Sequence, residues 1–194
     1  NRATADLNNN WLISGANSMV VVGDGTNAVT MNTGTHLIGG SFKVTHNATL
    51  DIASNSTGIS IVGETGSTVN YSGTGSQTIA VGIYDNIGLS NIRGGSTMTL
   101  ANGNITVRGT MTHTLTNAGS WTNTGNTFRY SSTGAQIIAP IQYNNLVVEG
   151  VRSGAPSITL GAGTVGVAGN FTVSATGLGS WITKGNTFHY NGAS

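Results

Sequence analysis

The sequence predicts an all-β chain, a parallel β-helix or solenoid, and three observations predict it. Glycine is abundant, at 30 of 194 residues, and proline is scarce, at two. Charged residues make up only 7%, against roughly 25% in an average soluble domain. The short apolar clusters, such as Met19-Val20-Val21-Val22 and Leu146-Val147-Val148, are the length of strands and lie between turn residues. Helical bundles and coiled coils need Ala, Glu, Lys, Leu and Arg, and most of these are scarce here. Two prolines and no Gly-X-Y period exclude collagen. Hydrophobic residues at 37% and a high threonine content argue against a flexible linker, since threonine favours strands.

An internal repeat sets the organisation. Gly66-Ser67-Thr68-Val69-Asn70-Tyr71 returns as Gly125-Asn126-Thr127-Phe128-Arg129-Tyr130, and again as Gly185-Asn186-Thr187-Phe188-His189-Tyr190. The spacing from one tyrosine to the next is nearly constant. Gly75-Ser76-Gln77 is echoed by Gly134-Ala135-Gln136, and Gly119-Ser120-Trp121 by Gly179-Ser180-Trp181. One copy spans 66–124 and a second 125–184. A third begins at 185–194, and 1–65 are diverged coils or a cap. Ile138, Ile158 and Leu178 are evenly spaced within the second copy. Their spacing suggests a coil of about 20 residues, three of which would fill one repeat of about 60 residues. A string of closed β-sandwiches is the rival fold. The chain begins without Met or an apolar leader, the reading expected of a processed chain or a piece of a longer one.

Within each copy, alternation assigns the sides of the first strand. Val69, Phe128 and Phe188, with Tyr71, Tyr130 and Tyr190, fall on one face and are expected in the core. Asn70, Arg129 and His189 between them are expected in solvent.

The pattern Phe128-Arg129-Tyr130, Gly134-Ala135-Gln136-Ile137-Ile138, Tyr143-Asn144-Asn145-Leu146-Val147-Val148 and Gly169-Asn170-Phe171-Thr172-Val173 resembles the repeats of large secreted adhesin-like surface proteins of bacteria, of the Bacteroidetes type. The resemblance covers residues 66–190. It implies a parallel β-helix in a surface-exposed or fibrous protein.

The chemistry-bearing residues are sparse. The carboxylates Asp6, Asp24, Asp51, Glu64, Asp85 and Glu149 form no local pair, and no cysteine is present. The chain is therefore expected not to be an enzyme and to need no cofactor or metal. A formal charge of +1 offers no large basic patch for nucleic acid, and no run is long enough for a membrane helix. Asp24 and Asp85 read as turn residues making Asx-type bonds. Asn86 and Asn145 recur and read as structural asparagines at a solenoid turn. Arg93 and Arg152 recur at the same place in successive copies. They either bind surface glycans or, as favoured, are solvated charges that resist edge pairing. Trp121 and Trp181 are either sugar-stacking platforms or, as favoured, part of a core stack. Threonine-dense stretches such as Thr97-Met98-Thr99 resemble the arrays of ice-binding solenoids, but in the next copy they meet Ser157 and Thr159.

The expected function is therefore a structural or adhesive segment of an extracellular bacterial surface protein or filament. It would be a rod that assembles end to end, with partners among its own copies or neighbouring repeats. A carbohydrate-binding or carbohydrate-degrading β-helix is the alternative, and an ice-binding solenoid the lesser one.

Overall fold

A computed structural model describes residues 3–14, 18–123, 125–183 and 185–192. The repeat boundaries placed at 124 and 184 fall outside the described residues, as do the last two residues of the third copy. The chain winds as a parallel β-solenoid of about eight turns and about 22 residues per turn. Among the described residues every ladder is parallel, with strands two to seven residues long. Parallel strands of one chain need a connection between them, and here the rest of the coil supplies it.

Strands occupy three faces. The first face holds β1 (Ala3–Asp6), β4 (Val29–Asn32), β6 (Ala48–Ile52), β8 (Thr68–Tyr71), β11 (Asn86–Leu89) and β14 (Met111–His113), hydrogen-bonded in that order. The second face is the longest. It runs from β2 (Trp11–Leu12) and β3 (Met19–Val22), both on β5 (Ile38–Val44), through β7 (Ile59–Gly63), β10 (Val81–Tyr84) and β13 (Gly103–Val107). It continues through β16 (Asn126–Tyr130) and β19 (Asn145–Val148) to β22 (Phe171–Val173). Shorter sheets make up the remainder: β9 (Gln77–Ile79), β12 (Met98–Leu100) and β15 (Trp121–Thr122); β17 (Gln136–Ile138), β20 (Ile158–Leu160) and β23 (Trp181–Ile182); and β18 (Gln142–Tyr143), β21 (Gly163–Val167) and β24 (Asn186–Tyr190).

The relation of this winding to the sequence repeat is unexpected. Among its described residues the first copy contributes eight strands, β8 to β15, one short of three full turns. Its first, fourth and seventh strands (β8, β11, β14) lie on the first face. The same strands of the second copy (β16, β19, β22) lie on the second face. Each copy is thus turned by one face relative to the copy before it. The coil is slightly longer than the sequence predicts, so one repeat falls short of three turns. The evenly spaced Ile138, Ile158 and Leu178 are not stacked neighbours: Ile138 lies on Leu160, and Ile158 on Gln136 and Trp181. Steps between stacked residues vary, from 18 (Thr127 to Asn145) to 27 (Trp11 to Ile38), because corner length varies.

The core is a single column of side chains that includes Phe42, Leu50, Ile61, Tyr71, Ile87, Ile105, Phe128, Leu146 and Val165, each at most 1% exposed. Asn126–Tyr130 alternates buried and half-buried positions along its whole length, as period-2 patterning requires. Stacked strands approach closely where glycine permits. Gly82 sits within β10 at φ +143°, and a Cβ there would stand 2.1 Å from the Ile61 carbonyl oxygen of the coil below.

Candidate functional site

The recurring residues build the same brackets at the corners of both copies. Tyr71 and Tyr130 enter the core from the first strand of each copy, as expected, and each meets a second tyrosine further along that copy. The Tyr71 and Tyr84 hydroxyls are 2.9 Å apart. The Ala80 N–H donates to Tyr71, and the Tyr84 hydroxyl donates to the Ala80 carbonyl. The second copy repeats every bond: Tyr130 with Tyr143 at 2.9 Å, Ala139 N–H to Tyr130, and Tyr143 to the Ala139 carbonyl. Two phenols thus satisfy both backbone groups of a corner alanine that no ladder reaches. Burial pushes Tyr71 and Tyr130 up to about 12, and Tyr84 and Tyr143 well above the usual tyrosine range. Phe128 lies beside this pair, 5.2 Å from both Tyr130 and Tyr143.

Gln77 and Gln136 form a second bracket, seen in the sequence only as part of the repeat. The Gln77 side-chain amide donates to the carbonyls of Ile52 and Ser54 and accepts from the Gly73 N–H. Gln136 does the same toward Val107, Gly109 and Ser132. Each glutamine replaces ladder bonds at the point where a new short sheet starts.

Arg93 and Arg152 are buried, at 1% and 3% exposure, so the solvated-charge expectation does not hold. The Arg93 guanidinium donates to the Gly75 carbonyl at 2.8 Å and the Tyr71 carbonyl at 2.9 Å. Arg152 donates to the Gly134 carbonyl and to Gln136 Oε1. Among the described residues no carboxylate accepts from either, and the Nε of each has no hydrogen-bond partner. Desolvation lowers both from the usual guanidinium range. A planar fork of donors fits this role because carbonyl oxygens of the coil below face inward at the corner. Arg93→Ala is expected to lower stability by about 1–3 kcal/mol, since the part-buried Gly75 carbonyl loses its donor and the buried Tyr71 carbonyl keeps only the Ser90 N–H. Arg93→Lys is expected to recover little of this, because an ammonium cannot span both acceptors. Chemical-denaturation midpoints of the two variants measure it.

Asn86 and Asn145 each tie three successive coils. Asn86 donates to the Ser67 carbonyl below at 3.0 Å and accepts from the Thr110 N–H above, also at 3.0 Å. Asn145 donates to the Asn126 carbonyl and accepts from the Asn170 N–H at 2.8 Å. Asn145→Ala is expected to cost about 1–2 kcal/mol, measured as a shift in the thermal unfolding midpoint with the strand content unchanged by circular dichroism.

The remaining candidates are dispersed. Trp121 lies on β15, 6.3 Å from His113, and Trp181 lies on β23 against Phe171. They belong to different sheets and form no common platform. Asp24 accepts from the N–H groups of Thr26 and Asn27, which pull it down to about 2, and Asp85 accepts from the Gly66 N–H. Asp24 is the turn carboxylate expected, whereas Asp85 closes no local Asx turn and instead holds the coil below. Among the described residues, no group of three or more His, Cys, Asp or Glu could hold a metal. A cleft of about 760 Å³ opens between β14 and β17, lined in part by Met111, His113, Ile137 and Pro140. It marks the break between the sheet of one copy and that of the next.

These features define a three-sided parallel β-solenoid whose corners are braced by tyrosine and arginine brackets within each copy and by glutamines that reach back to the coils before it. No known protein family matches the sequence, and no curated protein or solved structure is found similar to it.

Proposed function

We propose that the chain is a structural or adhesive rod segment of an extracellular bacterial surface protein, non-catalytic, which lengthens by axial stacking of coils. One observation carries this reading. Phe128 and Tyr130 are fully buried where a coil covers them, while their repeat equivalents Phe188 and Tyr190 are 36% and 47% exposed on the last described coil. Trp181 and Ile182 are exposed beside them. This end therefore offers an apolar aromatic surface together with the upward edges of β22, β23 and β24, the groups a further coil would pair with. A solenoid's stability is a sum of nearest-neighbour coil contacts, so added coils extend the rod with no new fold. The opposite end presents Trp11, Leu12 and Met19 in the same manner.

The purified chain is expected to associate end to end. Light scattering at rising concentration should report growing mass, and electron micrographs should show rods or fibres one solenoid wide. Phe188→Asp with Tyr190→Asp should suppress both. A chain that stays monomeric at high concentration and forms no fibres removes the axial assembly.

A further inference from the structure

The outward side of the first face carries an order that a rod does not require. Ladder register places Thr4, Thr30, Thr49 and Thr68 in one row across four successive strands, followed by Asn86. Thr110 is the next residue of that row, its N–H bonded to the Asn86 side chain. Two positions along each strand, a parallel row reads Asp6, Asn32, Asp51, Asn70, Gly88 and Thr112. Between the rows, Met31, Leu50, Val69, Ile87 and Met111 are buried and anchor the sheet to the core. A smaller array stands on β9, β12 and β15, where Thr78, Thr99 and Thr122 are in register and the Thr97 hydroxyl lies 3.2 Å from that of Ser120.

The spacing of the sequence repeat hides both arrays. It compares Thr97 and Thr99 with Ser157 and Thr159, but the stacking neighbours of Thr99 are Thr78 and Thr122.

We infer that the threonine-lined first face binds a periodic solid and that the solid is ice. Rungs repeat at about 4.8 Å and rows at about 6.8 Å, both fixed by the backbone ladder. Threonine holds its hydroxyl and methyl with little rotamer freedom, so Thr4, Thr30, Thr49 and Thr68 form the rigid row of a net whose second row carries the amides and carboxylates of Asp6, Asn32, Asp51 and Asn70. A small soluble ligand would engage one or two rungs and gain nothing from the others, so a net of this kind selects a ligand that repeats on the same scale. Among periodic solids, an ionic mineral requires charge on each rung. Asp6 and Asp51 are the charged members of these two rows, and neither row contains Lys or Arg. A crystalline polysaccharide is gripped by aromatic platforms, and neither row contains an aromatic ring. The lattice left is one of uncharged hydrogen-bond donors and acceptors, which is water ice. Hydroxyls hold waters at the rung spacing, and the methyls between them leave those waters bonded to one another.

The test is ice recrystallisation by the purified chain, with thermal hysteresis as a second readout. The intact chain is expected to keep ice crystals small. Thr49→Tyr with Thr68→Tyr, which raises two bulky rings from the net, is expected to need at least about tenfold more protein for the same effect. Val62→Tyr on the second face should match the intact chain. Circular dichroism and unfolding midpoint establish that each variant is folded. If the double variant is not, Thr49→Lys takes its place and must show the same loss. The inference is overturned if the intact chain does no better than an equal mass of an inert protein, or if the folded threonine variants match it. Retention of the intact chain by crystalline cellulose, lost in those same variants, would also overturn it in favour of a polysaccharide lattice.

Discussion

Truncating Phe128 to alanine is expected to cost about 3–5 kcal/mol, while the same change at Phe188 costs about 1–2 kcal/mol. The two residues occupy the same position of the repeat and differ in what covers them. Phe128 is fully buried, on β16, with Ile105 of β13 below and Leu146 of β19 above in register, and with Tyr130 and Tyr143 against its ring. Hydrogen-bonded strands on both sides keep the coils at fixed spacing. The wall cannot close in, and most of the removed ring remains as a cavity. Phe188 has Val165 beneath it and the Phe171 ring at 4.9 Å, with no described coil above. Its neighbours can relax into the space it leaves. Urea unfolding of the two variants, monitored by strand signal, gives both values. Equal losses at 128 and 188 would contradict the coil order.

That contrast also shows how much the sequence could reveal. The near-constant spacing of Tyr71, Tyr130 and Tyr190, with Phe128 and Tyr130 alternating with Arg129, was sufficient to predict stacked strands and the burial of Tyr71, Phe128 and Tyr130, while Phe188 and Tyr190, expected in the core as well, are exposed because no described coil covers them. Arg129 stays at the surface, paired with Glu149 at 2.7 Å. The face on which each copy starts was not legible. Alignment of the copies matches Tyr71 to Tyr130, yet in space Tyr71 sits beside Ile52 and Leu89, and Tyr130 beside Val107 and Val148. Sequence equivalence and stacking coincide only when the repeat holds a whole number of turns, and eight strands on three faces do not. The buried state of Arg93 and Arg152 was hidden for a different reason. A recurring arginine after a strand reads as surface charge, and only the corner geometry brings carbonyls within reach of its fork. One usable signal was present: each arginine recurs together with the glutamine of Gly75-Ser76-Gln77 or Gly134-Ala135-Gln136, and the structure joins Arg152 directly to Gln136.

Rotation by one face per copy has a functional consequence. A ligand row built from repeat-equivalent residues, such as Trp121 with Trp181, would be split between sheets and could not act as one surface. A row built from stacked coils, such as the threonines of the first face, stays on one side regardless of the repeat. The brackets tolerate rotation because each is closed within a few coils. The Tyr71–Tyr84 and Tyr130–Tyr143 pairs carry the same bonds on different faces.

Those tyrosine pairs make the fold sensitive to alkali. A phenol in the unfolded chain loses its proton near pH 10. In the folded chain, burial holds Tyr71 and Tyr130 protonated up to about pH 12, and burial likewise raises Tyr84 and Tyr143 well above the usual tyrosine range. Between these limits the folded state binds more protons than the unfolded one, so stability falls as pH rises. The contribution is fully present below pH 10 and withdrawn through pH 12, on the order of 2–3 kcal/mol for each of Tyr71 and Tyr130. Both hydroxyls of a pair cannot ionise in place, because two phenolate oxygens 2.9 Å apart would have no proton between them and the corner alanine's carbonyl would face a negative oxygen instead of a donor. Unfolding in denaturant at a series of pH values is expected to give a flat midpoint up to about pH 10 and a steep decline beyond it. The ultraviolet phenolate signal of the four buried tyrosines should rise together with the loss of strand signal. Tyr71→Phe with Tyr84→Phe should shallow the decline, at the cost of leaving the Ala80 N–H and carbonyl unpaired at neutral pH. Phenolate absorbance that develops fully while the strand signal is intact would place these hydroxyls in solvent and refute the buried pairs.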